Sequence, residues 1–258
     1  MITTEQLKAL RDETGISVMQ CKKALEEAGG DIEKARVILK KKSGDVAAKK
    51  LDRTLGAGSI VTAQNADRAV MLSLLCETDF VAKNSDFVEA GKMIADKALS
   101  GDKEAAEAAA AEALPGLVQK VGENIQLGEI TIIDSPSTGI YNHNGQFAAI
   151  VVLKDKNESL AKDIAMHTTA MRPSHLAEKD IPETDRNNAK DIFVKEVEEQ
   201  SAGKPEDMKA KILEGKINAY FKEQILLNQS FIKDPSKTIA TLLKEGNNDI
   251  VSFKIQQI

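Results

Sequence analysis

Two stretches of this chain follow the same plan, and that recurrence limits the fold more than any other feature. Ser59–Ala63 reads as a short strand, Asn65-Ala66-Asp67 as a turn, and Arg68–Cys76 as a second, more apolar strand. A helix follows, with Phe87, Gly91, Ile94, Ala98 and Leu99 in register. The order returns later. Gly139-Ile140-Tyr141 is a strand, Asn144-Gly145 a two-residue hairpin turn, and Phe147–Leu153 an apolar strand. Leu160, Ile164, His167 and Met171 then line one stripe of a helix. Two copies are too few for a solenoid. The pattern predicts an α+β protein with two related core subdomains, each a hairpin with packed helices.

Other elements fill in around this core. Thr3-Thr4 can cap a helix carrying Leu7, Leu10 and Arg11, ended by Thr14-Gly15. Ser17-Val18-Met19-Gln20 has the spacing of a capping box. Gly29-Gly30 breaks the second helix, and Asp31 can cap a third. Three short helices with glycine turns resemble a ubiquitin-associated domain, either a partner-binding head or a stabilising subdomain. Lys40-Lys41-Lys42 and Lys49-Lys50 around Ser43-Gly44 read as a basic helix end and a linker. An Ala-rich helix is expected from Lys103 to Leu114, stopped by Pro115-Gly116, with a strand over Gly128–Ile133. Glu183–Gln200 and the helix after Pro205 form an antiparallel coiled-coil hairpin. A last short helix and the strand Ile250–Ile255 close the chain. The expected domains are 1–53, 54–138 and 139–258, the last carrying the hairpin as an insertion at about 183–228.

At the end of the first apolar strand stands Thr78-Asp79-Phe80-Val81-Ala82, just before Ser85-Asp86-Phe87 opens a helix. Aromatic residues make up 3% of the chain and tryptophan is absent, so a phenylalanine here needs a reason. Phe80 is either a plug closing the end of the strand, as phenylalanine usually is, or an apolar wedge made to enter a partner.

Several functions lack the residues they need. Net charge is −5, which argues against a nucleic-acid binder relying on bulk charge. Cys21 and Cys76 are far apart and in no CxxC pattern, so neither a disulfide scaffold nor a thiolate zinc site is indicated. His143, His167 and His175 are not at ligand spacing, so no metal is expected. His167 on its apolar stripe is either a satisfied core residue or one that stacks on a partner. No apolar run spans a bilayer, and the polar start Met1–Gln6 carries no secretory pattern. A reducing cytoplasm is the expected compartment. There is no phosphate-binding loop, dinucleotide fingerprint, nucleophile elbow or HExxH. Without a cofactor motif the chain is expected to work by binding.

Arg11–Gly15, Met19–Leu25 and Gly30–Glu33 resemble the head of bacterial elongation factor Ts, and Thr78–Lys83 is similar to that family's signature. Val121–Ile125, Ile164–His167, Pro235–Thr238 and Leu242–Glu245 match further blocks. The resemblance covers essentially the whole chain. It implies a guanine-nucleotide exchange factor for elongation factor Tu, cytoplasmic, with no cofactor, no covalent chemistry, no direct nucleic-acid contact and no predicted homo-oligomer. It further implies that Thr78, Asp79, Phe80 and Val81 form the partner-binding site, with Phe80 the wedge near the partner's magnesium and Asp79 its polar companion. Arg11 and Met19 belong to the head's contact; Val18 and Gln20 stand where some members carry Met and Asp. Val121, Gly122 and His167 belong to contacts of the core. The chain stops soon after Ile255, so the contact of the C-terminal module carried by some members is expected to be missing. The runner-up function is an adaptor that holds a protein through its helical head without affecting nucleotide.

Overall fold

Capping residues decide where the first helices begin. The computed structural model describes residues 2–258. In α1 (Thr4–Thr14) the Thr3 hydroxyl accepts the Gln6 N–H at 3.1 Å, and the Gln6 side chain accepts the Thr3 N–H at 2.9 Å. Ser17 caps α2 (Val18–Glu27) and Asp31 caps α3 (Ile32–Ala48) through the N-cap side chain alone, so the return bond of a capping box expected from Gln20 is not made. Leu10, Ile16, Cys21, Leu25 and Leu39 form the small core of this three-helix head. Lys40–Lys42 and Ser43-Gly44 are not a linker, however, because α3 runs through them to Ala48, and only Lys49-Lys50 follow its end. Ser43 is buried there, and its hydroxyl donates to the Leu39 carbonyl at 2.9 Å and also meets the Gln119 side chain. Lys40 and Lys42 pair with Glu112 and Glu27 at 3.2 and 2.6 Å.

The chain divides into two compact units. The first runs through Asp134 and includes Asn142–Ala148 and Gln256–Ile258; the second holds Ser135–Tyr141 and Ala149–Ile255. In the first unit β1 (Ala57–Gln64), β2 (Arg68–Cys76) and β3 (Ile125–Asp134) form an antiparallel sheet with β2 in the middle. Being central, β2 is almost wholly buried and reads as a continuous apolar run rather than an alternation. Val70, Leu72 and Leu74 pack with Phe87 and Ile94 of α5 (Ser85–Ser100) and with Leu117 and Val118 of α6 (Lys103–Val121). Between β2 and α5 sits α4 (Asp79–Ala82), a single turn.

The sequence expectation ended α6 at Leu114, yet it continues through Pro115. An interior proline costs about 3 kcal/mol. Leu114, Leu117 and Val118 are all buried on the continuing face. Each is worth about 1.5–3 kcal/mol when fully buried, so packing outweighs the lost backbone bond. Gly122, at φ +86°, then ends the helix by donating its N–H to the Val118 carbonyl at 3.0 Å.

β4 (Thr138–His143), β5 (Phe147–Leu153) and β8 (Ile250–Gln257) form the other sheet, most of whose residues belong to the second unit, again with the apolar strand in the middle. Asn144 and Gly145 both have positive φ, as a two-residue hairpin turn requires. α7 (Glu158–Met171) is capped by Asn157 and packs Leu160 and Ile164 against Val151 and Leu153. α8 (Glu183–Gln200) and α9 (Glu206–Lys222) make the helical hairpin, with Phe193 and Tyr220 in edge contact and Lys216 paired with Glu196 at 2.6 Å. A two-stranded ribbon follows, β6 (Ser230–Phe231) and β7 (Asp234–Thr238), before α10 (Ile239–Glu245). The sequence did not reveal this ribbon, since β6 is two residues long and β7 contains Pro235. Helices and small antiparallel sheets make the α+β class that the sequence predicted.

Candidate functional site

The site begins where β2 stops. Glu77 and Thr78 leave the sheet, and Thr78 takes the N-cap position of α4. Its hydroxyl makes no capping bond of the usual kind. Instead it donates to Glu123 Oε1 at 2.7 Å, while the Thr78 N–H donates to Glu123 Oε2 at 3.0 Å. In the opposite direction Glu77 Oε1 accepts the Asn124 N–H at 2.6 Å and pairs with Arg53 at 3.2 Å. These two interactions, the backbone bond first, hold the Glu77 carboxyl below its ordinary pKa. Two carboxylates thus cross between the strand end and the loop after α6. Asn124 adds bonds from its side-chain amide to the carbonyls of Leu51 and Arg53, and Lys50 reaches the Gly122 carbonyl.

Beneath the turn, the Cys76 thiol donates to the Thr78 carbonyl at 3.1 Å. Burial pushes its pKa up to about 11, with the charge of Glu123 acting in the same direction. Val81 is 9% exposed and anchors α4 in the core. Phe80 points the other way and is 81% exposed. Among the described residues it is the one exposed phenylalanine of seven, so the plug reading is excluded and Val81 closes the strand end instead. Asp79 is exposed and bonded to Lys83 at 2.7 Å, which lowers its pKa.

The resemblance gave Thr78, Asp79, Phe80 and Val81 a shared role, yet only Asp79 and Phe80 face solvent. On the head, Arg11 is exposed, Met19 is 63% exposed and Val18 45%. The turn between α1 and α2 lies beside the Lys120 side chain at the end of α6. A Cβ on Gly15 would fall 2.7 Å from Lys120, and Lys120 pairs with Asp86 at 2.8 Å. Gly122 is exposed, whereas Val121 is half-buried against the core. His167 is fully buried and has no surface to offer a partner. Its Nδ1 accepts the Ile232 N–H at 3.3 Å and its Nε2 lies 3.0 Å from Gln229 Oε1. This arrangement places the ring proton on Nε2. Gln229 in turn donates to the Glu223 carbonyl at the root of the hairpin, at 2.6 Å. His167 is the satisfied core histidine of the two readings.

Sequence reasoning contained Glu123 within a matched block but gave it no role. Its partner lies 45 residues away, and the only local signal was an acid between a helix-ending glycine and a strand. Among the described residues no cluster of histidine, cysteine or acidic side chains could hold a metal ion, and no helix is long and apolar enough to cross a membrane.

The family model described as elongation factor TS matches residues 77–258. The chain is 37% identical to the elongation factor Ts of Acholeplasma laidlawii, over 98% of this chain and 90% of that protein. It is 39% identical to that of Arthrospira platensis, over 90% of this chain and 99% of the other. The Hydrogenobaculum protein of the same name is 35% identical over 98% and 97%. An α+β chain with these matches is a translation elongation factor, acting in protein biosynthesis. It belongs to the elongation factor Ts family.

Proposed function

We propose that this chain is a guanine-nucleotide exchange factor that binds elongation factor Tu in the cytoplasm and promotes GDP release. The observation that supports this most is Phe80, an aromatic ring held out in solvent at the tip of a one-turn helix. Leaving a phenylalanine outside forgoes about 1.5–3 kcal/mol of burial, a cost that makes sense where the ring is buried in a complex. In this reading Phe80 is the wedge that enters the GTPase near its magnesium site. Asp79 is its polar companion, exchanging Lys83 for a group on the partner. Arg11, Met19 and Val18 on the head supply further contact, with Gly122 and Val121 beside the wedge.

The mechanism is linkage. A factor that binds its partner better when magnesium and nucleotide are displaced must weaken nucleotide binding by the same factor. No bond is made or broken, so no nucleophile or general base is required. The working parts are the head, 1–53, two core halves, 54–138 and 139–258, and the hairpin inserted at about 183–228. Stopped-flow release of fluorescent GDP from elongation factor Tu, with and without the chain, tests the proposal. Acceleration that saturates with chain concentration is expected, together with dissociation of the complex by excess GDP and magnesium. Binding of equal strength with and without GDP would leave only an adaptor.

A further inference from the structure

The wedge must be held as well as exposed, and on that reading we propose that Glu123 is its positioning residue. A four-residue helix does not hold its own direction, because a single turn fixes more backbone than its hydrogen bonds repay. In α4 the bonds of that turn run from the Ala82 N–H to the Thr78 carbonyl and from the Lys83 N–H to the Asp79 carbonyl, both 3.2 Å. Val81 fixes one point of the turn in the core. A direction needs a second point, and the Glu123 carboxylate supplies it by taking both donors of Thr78. Bonds to an ionised acceptor are the stronger kind. Glu123 is itself fixed from both sides. Gly122 turns the chain out of α6 under the Lys50 side chain, and the Asn124 N–H is held by Glu77. The restraint therefore runs from α6 through Glu123 to Thr78, two residues before the ring it aims.

The test compares Glu123→Ala, Glu123→Gln and Thr78→Val in the full chain. Fluorescent-GDP release from elongation factor Tu is followed across chain concentrations, and amide hydrogen exchange is measured at residues 78–83. Glu123→Ala should lower the saturating release rate about tenfold, the scale of a lost charge-assisted bond, with the half-saturating concentration near the parent's. The amides of Ala82 and Lys83, which donate the bonds of the turn, should exchange faster while those of β2 stay protected. Glu123→Gln should restore most of the rate. Its carbonyl can accept the Thr78 N–H while its amide donates to the hydroxyl, which rotates to accept. Thr78→Val should fall between the two.

A folded Glu123→Ala chain that exchanges at the parent rate, or a loss that glutamine does not restore, overturns the proposal. If Glu123→Ala does not fold, Thr78→Val at the parent rate overturns it equally. Phe80→Ala is measured alongside. Slow exchange there with normal exchange in Glu123→Ala removes Glu123 alone, whereas a parent rate for Phe80→Ala removes the wedge reading and this proposal with it.

Discussion

The two halves of the core solve the same local problem in opposite ways. In each, a central apolar strand must hand over to a helix, and the segment leading into the third strand braces that junction. At the end of β5 the brace is Asn248. Its side chain accepts the Asp155 N–H at 3.0 Å and donates to the Asp155 carbonyl at 2.8 Å, while the Lys154 N–H bonds the Asp249 carbonyl at 2.8 Å. The junction is closed, and α7 starts five residues after the strand. At the end of β2 the brace is Glu123-Asn124, and an extra helical turn is interposed that carries Phe80 outward. The comparison teaches that topology alone does not make the site. One inserted turn and one carboxylate turn a sealed junction into a projecting one.

The sharpest way to break the comparison is Phe80→Ala. An exposed ring contributes little to folding, so denaturant melts should shift by about 1 kcal/mol or less. A hot-spot aromatic is worth about 2–4 kcal/mol to a complex, so GDP release from the partner should slow by roughly thirty- to several-hundred-fold. Large destabilisation with normal exchange would make the two junctions equivalent after all.

Asn248→Ala should show the reverse pattern. Asp155 itself is exposed, so water can take up its N–H and carbonyl, and the loss of these bonds should cost about 0.5–1.5 kcal/mol in urea melts, with normal exchange by the folded protein. A loss of exchange without a loss of stability would mean that the second junction, too, belongs to the functional surface.

A further contrast is pH. Burial lowers the pKa of His167, opposed by its bond to Gln229. The unfolded chain therefore takes up a proton near the ordinary histidine value of about 6.5, before the folded chain does. Stability contributed by neutral His167 is complete above that value and is lost as pH falls through it toward the lower folded value. Chemical melts between pH 7.5 and 5.5 should show this fall, and His167→Gln should flatten it. An unchanged slope in the variant would assign the effect elsewhere.

The smallest effect is expected from the hairpin, which the second half has and the first lacks. Removing 183–228 entire would take Phe221, Ile225 and Leu226 out of buried positions. Replacing only residues 194–216 with a short Gly/Ser turn spares that root, and loop closure depends weakly on length. Circular dichroism should lose only the excised helix, and exchange should stay within about threefold, less than 1 kcal/mol. Abolished exchange in the folded variant would make the hairpin a principal contact.

Strands, caps and the main helices were legible because each is written locally: Thr3, Ser17, Asp31 and Asn144-Gly145 announce their own turns. The misjudged places were settled at long range. Ser43 stays in a helix because Gln119 meets it, and Pro115 because Leu117 and Val118 have a core to enter. The candidate site divides along the same line. Phe80 stood out by residue type, but its exposure was decided by Val81 taking the core position and by Glu123, which lies 45 residues from Thr78.

The Cys76 thiol has a practical corollary. Thiolate is the form that reacts with maleimides and oxidants. With a pKa of about 11, only ~0.03% of Cys76 is ionised at pH 7.5, and the atom is sealed under the Thr78 carbonyl. Cys21, the other cysteine, is buried in the head. The natural chain thus behaves as a background quiet to thiol reagents. A single cysteine placed at exposed Val37 would take a dye selectively, so the head could be watched by fluorescence without first removing either native cysteine.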